Sequence, residues 1–337
     1  MPESLDMTLK ELKFTRFLRS KGMAFILAVL SVVMTRQAAV SGHILPDMSN
    51  HGFVFPSPQM WWPQGPATMW GTILLVLVIA GLMIYVNRRF NVLRTLSVYF
   101  GGLFLVMAAA TPGVTVFFSG AVLLPIILLG AMSLLYRSFN SRQAPRYMLL
   151  AFFLLGAGAL FQYGFLFYVP VFLVGIGQMR VFGLKTLLAA LMGLLAPLWI
   201  AWGAGWAPFD FWNHIHVEVS FPTTLSAIPG GIPYIASLVF TILLGVALGM
   251  VNFFKIYAYN ARARAYNGLL SGVSVFTAIF AVLNYANSQF YILMLDCCVA
   301  FQMGHYFRIY LQQRAYIVAL ALMAVYGGIY VWSTFLS

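Results

Sequence analysis

The sequence predicts an all-α polytopic membrane protein of about eleven transmembrane helices, within a range of nine to eleven, with a cytoplasmic N-terminus and two longer external loops. Three observations carry that prediction. Hydrophobic residues fill 62% of the 337 positions and charged residues 8%, whereas a soluble fold carries roughly 25% charged residues. The apolar residues come in runs close to the ~20 residues a helix needs to cross a hydrocarbon core of roughly 30 Å. The basic residues gather in alternate gaps between those runs, as the positive-inside tendency requires.

The runs lie at 22–40, 67–87, 95–111, 115–136, 147–161, 164–179, 184–205, 233–253, 269–285, 290–307 and 316–335. The first follows "MPESLDMTLKELKFTRFLRSKG", too long and polar to open a cleavable signal, and reads as a retained anchor. Pro112-Gly113 is a tight-turn dipeptide that divides 95–136 into two spans. The stretch 147–179 divides at Gln162-Tyr163-Gly164, and charge decides it. With two spans there, Lys10, Lys13, Arg16, Arg19 and Lys21, "NRRFNVLR", "RSFNSRQAPR", Arg180 with Lys185, "KIYAYNARAR", and Arg308 with Arg314 all face the cytoplasm. Arg36 alone stays outside. One long span would export Arg180, Lys185 and "NARARA". "LAPLW" and "IPGGIP" read as kinks or turns, and Gly156 with Gly158 as sites of close helix packing.

Residues 1–21 form a cytoplasmic interfacial segment, with Leu5, Leu9 and Leu12 at helical spacing. Residues 22–337 form one transmembrane domain with external loops 41–66 and 206–232. The net charge of +12 is then a topogenic signal facing anionic membrane lipid, not a nucleic-acid surface. Cys297 and Cys298 are neighbours inside an apolar run, which implies neither a disulfide framework nor a zinc site. The glycines lack the strand and lysine of a phosphate loop, and there is no GxSxG or Ser-His-Asp order.

Polar chemistry gathers outside. Beyond the N-terminal tail the acids are Asp47, Asp210, Glu218 and Asp296, and three of them fall in the two external loops with His43, His51, His214 and His216. In "FDFWNHIHVEVS", Asp210, His214 and Glu218 share a face if helical, and His214, His216 and Glu218 share one if extended. Imidazole with carboxylate suits a divalent metal such as zinc or manganese, with His214, His216 and Glu218 as candidate ligands, or a general acid–base pair. Solvated loop polarity is the plainer alternative. His43, Asp47 and His51 are also four apart, with Pro46 interrupting. Trp61, Trp62, Trp202, Trp206 and Trp212 read as an outer interfacial belt that doubles as a stacking surface for a sugar or lipid headgroup.

Two charged residues sit against the pattern. Arg36, near the outer end of the first span, suits snorkelling to headgroups, pairing with Asp47, or holding the phosphate of a lipid-linked substrate. Asp296, within "YILMLDCCVAF", needs a proton, a partner or an ion. A hydrogen bond to a neighbouring span and a proton or ion relay are the two readings.

The stretch "FLLGAGALFQYGFLFYVPVFLVGIGQMRVFGLKTLLAALMGLLAPLWIAW" resembles a polytopic inner-membrane family of Bacteroidota to which no activity is attached, over residues 67–205. That resemblance implies a bacterial inner membrane as the location. The chain is also similar in outline to GT-C-type glycosyltransferases, which take sugars from polyprenyl-phosphate carriers and keep a catalytic acid in the first external loop. Asp47 occupies that place; the paired acid motif of those enzymes is absent. The resemblance implies Asp47 as base; beside it, the sequence offers Arg36 as phosphate contact and Asp210, Trp212, His214, His216, Glu218, His43 and His51 as candidate binding residues. A polyprenyl-phosphate-linked sugar would be the substrate. The second expectation is a non-catalytic subunit or scaffold docking a membrane or periplasmic partner through its external loops. The third is a transporter or flippase with Asp296 as coupling site, against which the spans offer one central acid, little other internal polarity and no inverted repeat.

Overall fold

A computed structural model describes residues 16–18, 20–41, 52, 54–63, 65–93, 98–206, 231–256, 260–309 and 315–336. Among these the structure is helical, without strands. In chain order the helices are α1 (Lys21–Ser41), α2 (Pro66–Phe90), α3 (Tyr99–Ala109), α4 (Pro112–Thr115), α5 (Gly120–Ser138) and α6 (Ala144–Phe161). They continue with α7 (Val169–Gln178), α8 (Leu184–Gly203), α9 (Gly231–Ile256), α10 (Ala261–Leu283), α11 (Gln289–Ile309) and α12 (Ala315–Val331). Single 3₁₀ turns lie at Pro58–Met60, Tyr163–Tyr168 and Tyr285–Asn287. Among the described residues nine helices are long and apolar enough to cross a bilayer. Two shorter apolar stretches, Tyr99–Ala109 and Tyr163–Gln178, bring the apolar segments to the eleven expected from the sequence. The chain is an all-α, multi-pass membrane protein.

The short third segment has a physical reason. α3 has 11 residues, about 16 Å of rise, roughly half a hydrocarbon core. Pro112 ends it, because proline lacks the N–H that would continue the ladder. The bent stretch 110–119, with the short helix α4 inside it, follows directly. Thr111 ties back to the Ala108 carbonyl at 3.0 Å, and most of the stretch is buried. Irregular backbone persists at membrane depth where protein surrounds it.

Side-chain contacts sort the helix ends into two sets. At one end Arg137 reaches the Tyr85 hydroxyl, Asn140 N–H donates to the Met179 carbonyl at 3.1 Å, and Arg308 donates to the Leu93 carbonyl at 3.3 Å. Arg262 joins them, its guanidinium 5.8 Å from the ring centres of Phe139 and Tyr266. At the other end lie Trp61, Phe118, Phe161 and Trp206. Successive segments therefore alternate between a basic end and an aromatic end, the pattern the charges predict.

Two starts differ most from expectation: the helix of the span predicted from 115 begins at Gly120, and that of the span predicted from 269 begins earlier. α10 begins at Ala261, ahead of the predicted span start at 269. Hydropathy drops there because of "NARAR", yet the helix is secured locally. The Asn260 side chain accepts from the Ala263 N–H at 3.0 Å, a helix cap. Arg262 donates to the Tyr266 hydroxyl at 2.9 Å, and Tyr266 in turn donates to the Tyr136 carbonyl at 2.9 Å.

Packing centres on α11, which is buried throughout residues 290–305 and contacts α3, α5, α9 and α10. α8 lies at the periphery against α6. In a bilayer helices associate through close van der Waals contact, since lipid is as apolar as leucine, so small residues set the approach. Gly156 of α6 lies against the Leu194 carbonyl and Gly193 of α8 against the Leu149 carbonyl, where any Cβ would meet backbone. Gly158, also singled out in the sequence, lies against the Phe165 ring instead.

Candidate functional site

Helix α11 carries the acid that the sequence places inside the membrane. Asp296 is fully buried. By helical rise it lies about 10 Å from the aromatic-end start of α11 and about 18 Å from Arg308 at the basic end. Thr241 of α9 donates to its Oδ1 at 3.5 Å, and the Thr241 hydroxyl is 2.8 Å from that of Tyr326 on α12. With Tyr326 donating to Thr241 and Thr241 to Asp296, each hydroxyl proton has one acceptor. Oδ2 has no hydrogen-bond partner. A carboxyl in such a setting is stable only with a proton or a cation on it. The expected hydrogen bond to a neighbouring span is present.

More polarity lines the same seam than the sequence suggests. Tyr234, Ser237, Thr241 and Asn252 of α9 are buried, as are Gln302 and His305 of α11. The Asn252 amide donates to the Gln302 carbonyl at 3.2 Å. Ser237 Oγ, Asn252 Oδ1, Gln302 Oε1 and both His305 ring nitrogens have no partner. An orphaned buried polar atom costs about 1–3 kcal/mol, and proteins meet such atoms with ordered water or ligand. The polar groups run from the aromatic end through Asp296 to His305, one turn from Arg308. Beside the seam, a cavity of about 430 Å³ opens between α9 and α10, lined mainly by apolar side chains with Gln302 and Ser274 among them.

A second polar cluster lies at the aromatic end, where several turns converge. Gln162, between α6 and the Tyr163–Tyr168 turn, donates to Asn287 Oδ1 at 3.4 Å. Asn284, closing α10, donates to the hydroxyls of Tyr163 at 3.3 Å and Tyr291 at 3.4 Å. The described part of the first external loop covers this cluster. Val54 and Phe55 N–H groups both donate to the Leu160 carbonyl at 2.9 Å. Phe55 stacks on Phe161 with centroids 5.2 Å apart, and Trp61 meets Phe161 edge-on at 4.7 Å. Phe55 also touches Trp206, where the second loop begins, at 6.3 Å. The two external loops therefore meet at their described ends.

Of the residues nominated from sequence, Asp296 lies in the buried seam and Arg36 is exposed on α1, five residues before its end. The belt tryptophans Trp61, Trp62, Trp202 and Trp206 are partly exposed. His43, Asp47, His51, Asp210, Trp212, His214, His216 and Glu218 lie outside the described residues, as do Leu5, Leu9 and Leu12. Among the described residues no three His, Cys, Asp or Glu side chains gather as a metal site. Sequence reasoning missed Thr241, Tyr326, Gln162, Asn284 and Asn287. Threonine and tyrosine are ordinary within apolar runs, and the three amides sit at the ends of such runs or between them, where a polar residue carries little signal. No family model, curated protein or solved structure matches the chain.

Proposed function

We propose that this protein is a proton-translocating membrane transporter, with Asp296 carrying the proton. The observation behind the reading is the Asp296–Thr241–Tyr326 network, whose carboxyl sits on the most buried of the nine long helices among the described residues, flanked toward both ends by buried polar atoms without partners. Intramembrane acids mark proton or ion routes when they face a polar seam within the bundle. Thr241 and Tyr326 orient the carboxyl and relay its proton, and ordered water bridges from there to His305 and to the aromatic end. The basic end faces the cytoplasm and the aromatic end faces outward, as the charge distribution favours. The internal polarity of the α9–α11 seam, greater than the sequence suggests, supports this reading.

The test is proton movement into proteoliposomes followed with an enclosed pH-sensitive dye. Wild-type protein dissipates an imposed pH difference, and Asp296→Asn at the same reconstituted density does not. Equal rates for the two would end the proposal.

A second reading is glycosyl transfer at the outer face, supported by the Phe55–Trp206 contact that brings the described ends of both external loops together. There Asp47 serves as base and Arg36 holds the phosphate of a polyprenyl-phosphate-linked sugar. His214, His216 and Glu218 hold a divalent metal, beside Asp210, Trp212, His43 and His51. Asp47→Asn then abolishes transfer to an acceptor while expression is unchanged; full transfer by that variant removes this reading. A docking scaffold instead predicts a stoichiometric partner that survives both substitutions.

A further inference from the structure

Beneath the Pro58–Met60 turn at the aromatic end is a cavity of about 20 Å³, room for about one water molecule. Its polar lining comes from Gln59, Ser119, Gln162, Asn287 and Gln289, with no acidic or basic side chain. Two long helices begin at its wall, α5 with Gly120 and Ala121, and α11 with Gln289 and Phe290. A helix start presents unpaired N–H groups and the positive end of its dipole. At α5 the N-cap Ser119 makes no side-chain cap bond; its carbonyl accepts from the Val122 N–H at 3.2 Å, which leaves the Gly120 and Ala121 N–H groups without a Ser119 side-chain cap.

A second observation is independent of the helix ends. Asn287 is 3% exposed and its amide nitrogen, a donor, has no partner; Gln162 is 2% exposed and its Oε1 has none either. That oxygen lies against Gly120, at the start of α5, where a Cβ would collide with it. A neutral amide oxygen thus rests where the charge of the helix start favours a negative oxygen.

We propose that this cavity is an outward-opening site for a small oxyanion, a carboxylate or phosphate group. One anion oxygen takes the place of Gln162 Oε1 at the start of α5. Another accepts from the Asn287 amide and the first N–H groups of α11. Uncharged donors and two converging helix starts favour an anion, and nothing in the lining repels one. Entry of a group larger than water requires the Pro58–Met60 turn to lift, and Trp61 follows that turn directly. As an anion site the cavity stands by itself. As the entry point of a solute carried with the Asp296 proton, it rests on the transport reading.

The test is titration calorimetry on the purified full-length protein in detergent, with sodium phosphate and sodium acetate at constant chloride, and glucose as the neutral probe. Saturable binding of either oxyanion, with none of glucose, is expected. Asn287→Asp, which puts a like charge beside the anion, weakens binding tenfold or more. Gln162→Glu does the same from the opposite wall and covers the case in which the first variant fails to fold. Binding is read in detergent with no proton gradient imposed, so a failed flux experiment leaves this result interpretable. Absence of oxyanion binding, equal binding by a folded Asn287→Asp or Gln162→Glu, or binding of glucose alone overturns the proposal.

Discussion

Tyr326 of α12 and Asp296 of α11 share one intermediary, the Thr241 hydroxyl of α9, which lies 2.8 Å from the tyrosine oxygen and 3.5 Å from the carboxyl. Three helices are thus joined by two hydrogen bonds through one hydroxyl. Thr241→Val keeps the volume and removes the relay. The expected result is a proton flux at least tenfold below wild type and a stability loss of about 1–3 kcal/mol, since two hydrogen bonds go and their buried partners are left unsatisfied. Flux in proteoliposomes and the melting temperature in detergent separate the two effects.

The reciprocal glycine contacts between α6 and α8 make a stability prediction. A methyl group at Gly193 meets the Leu149 backbone, which cannot yield as a side-chain tip does. Gly193→Ala costs about 1–3 kcal/mol, the range for overpacking, and Gly156→Ala behaves alike against Leu194. Gly81, with nothing within 4 Å of an added Cβ, tolerates alanine without loss. Thermal unfolding of the three variants in one detergent checks the order.

The cap of α10 is testable in the same way. Asn260→Ala removes the acceptor of the Ala263 N–H, at a cost of about 1 kcal/mol. Asn260→Asp restores the melting temperature because aspartate caps as well. Faster exchange at the first turn of α10 identifies the lost cap as the cause.

Topology is checked at the two ends. A cysteine at Met60 or Trp62, in a background with Cys297 and Cys298 replaced by serine, reacts with an impermeant thiol reagent from outside. One at Arg142, or at Arg180 beside the Met179 contact, reacts after the inner face is opened. Labelling of both sets from the same side contradicts the alternation of basic and aromatic ends.

The sequence revealed the fold more fully than the site. Apolar runs and the distribution of arginine placed all eleven segments, because both follow from the bilayer acting as solvent. The start of α10 escaped, since a cap and an arginine over two rings stabilise residues that hydropathy counts as loop. Asp296 stood out because a carboxyl among apolar residues is costly. Its partners did not, for they lie 55 and 30 residues away in the chain, and threonine and tyrosine are ordinary in such runs. The amide cluster escaped for the same reason: Gln162 and Asn287 meet across 125 residues, a distance that only packing closes.

The central claim is that Asp296 takes up and releases a proton, and infrared difference spectroscopy reads that step directly. Reconstituted protein is cycled between acidic and alkaline buffer, and the carbonyl stretch of a protonated carboxyl is followed. The account predicts a band that appears and disappears with the cycle in wild type, shifts in Thr241→Val and is missing in Asp296→Asn. A spectrum in which that band is identical in wild type and Asp296→Asn contradicts it.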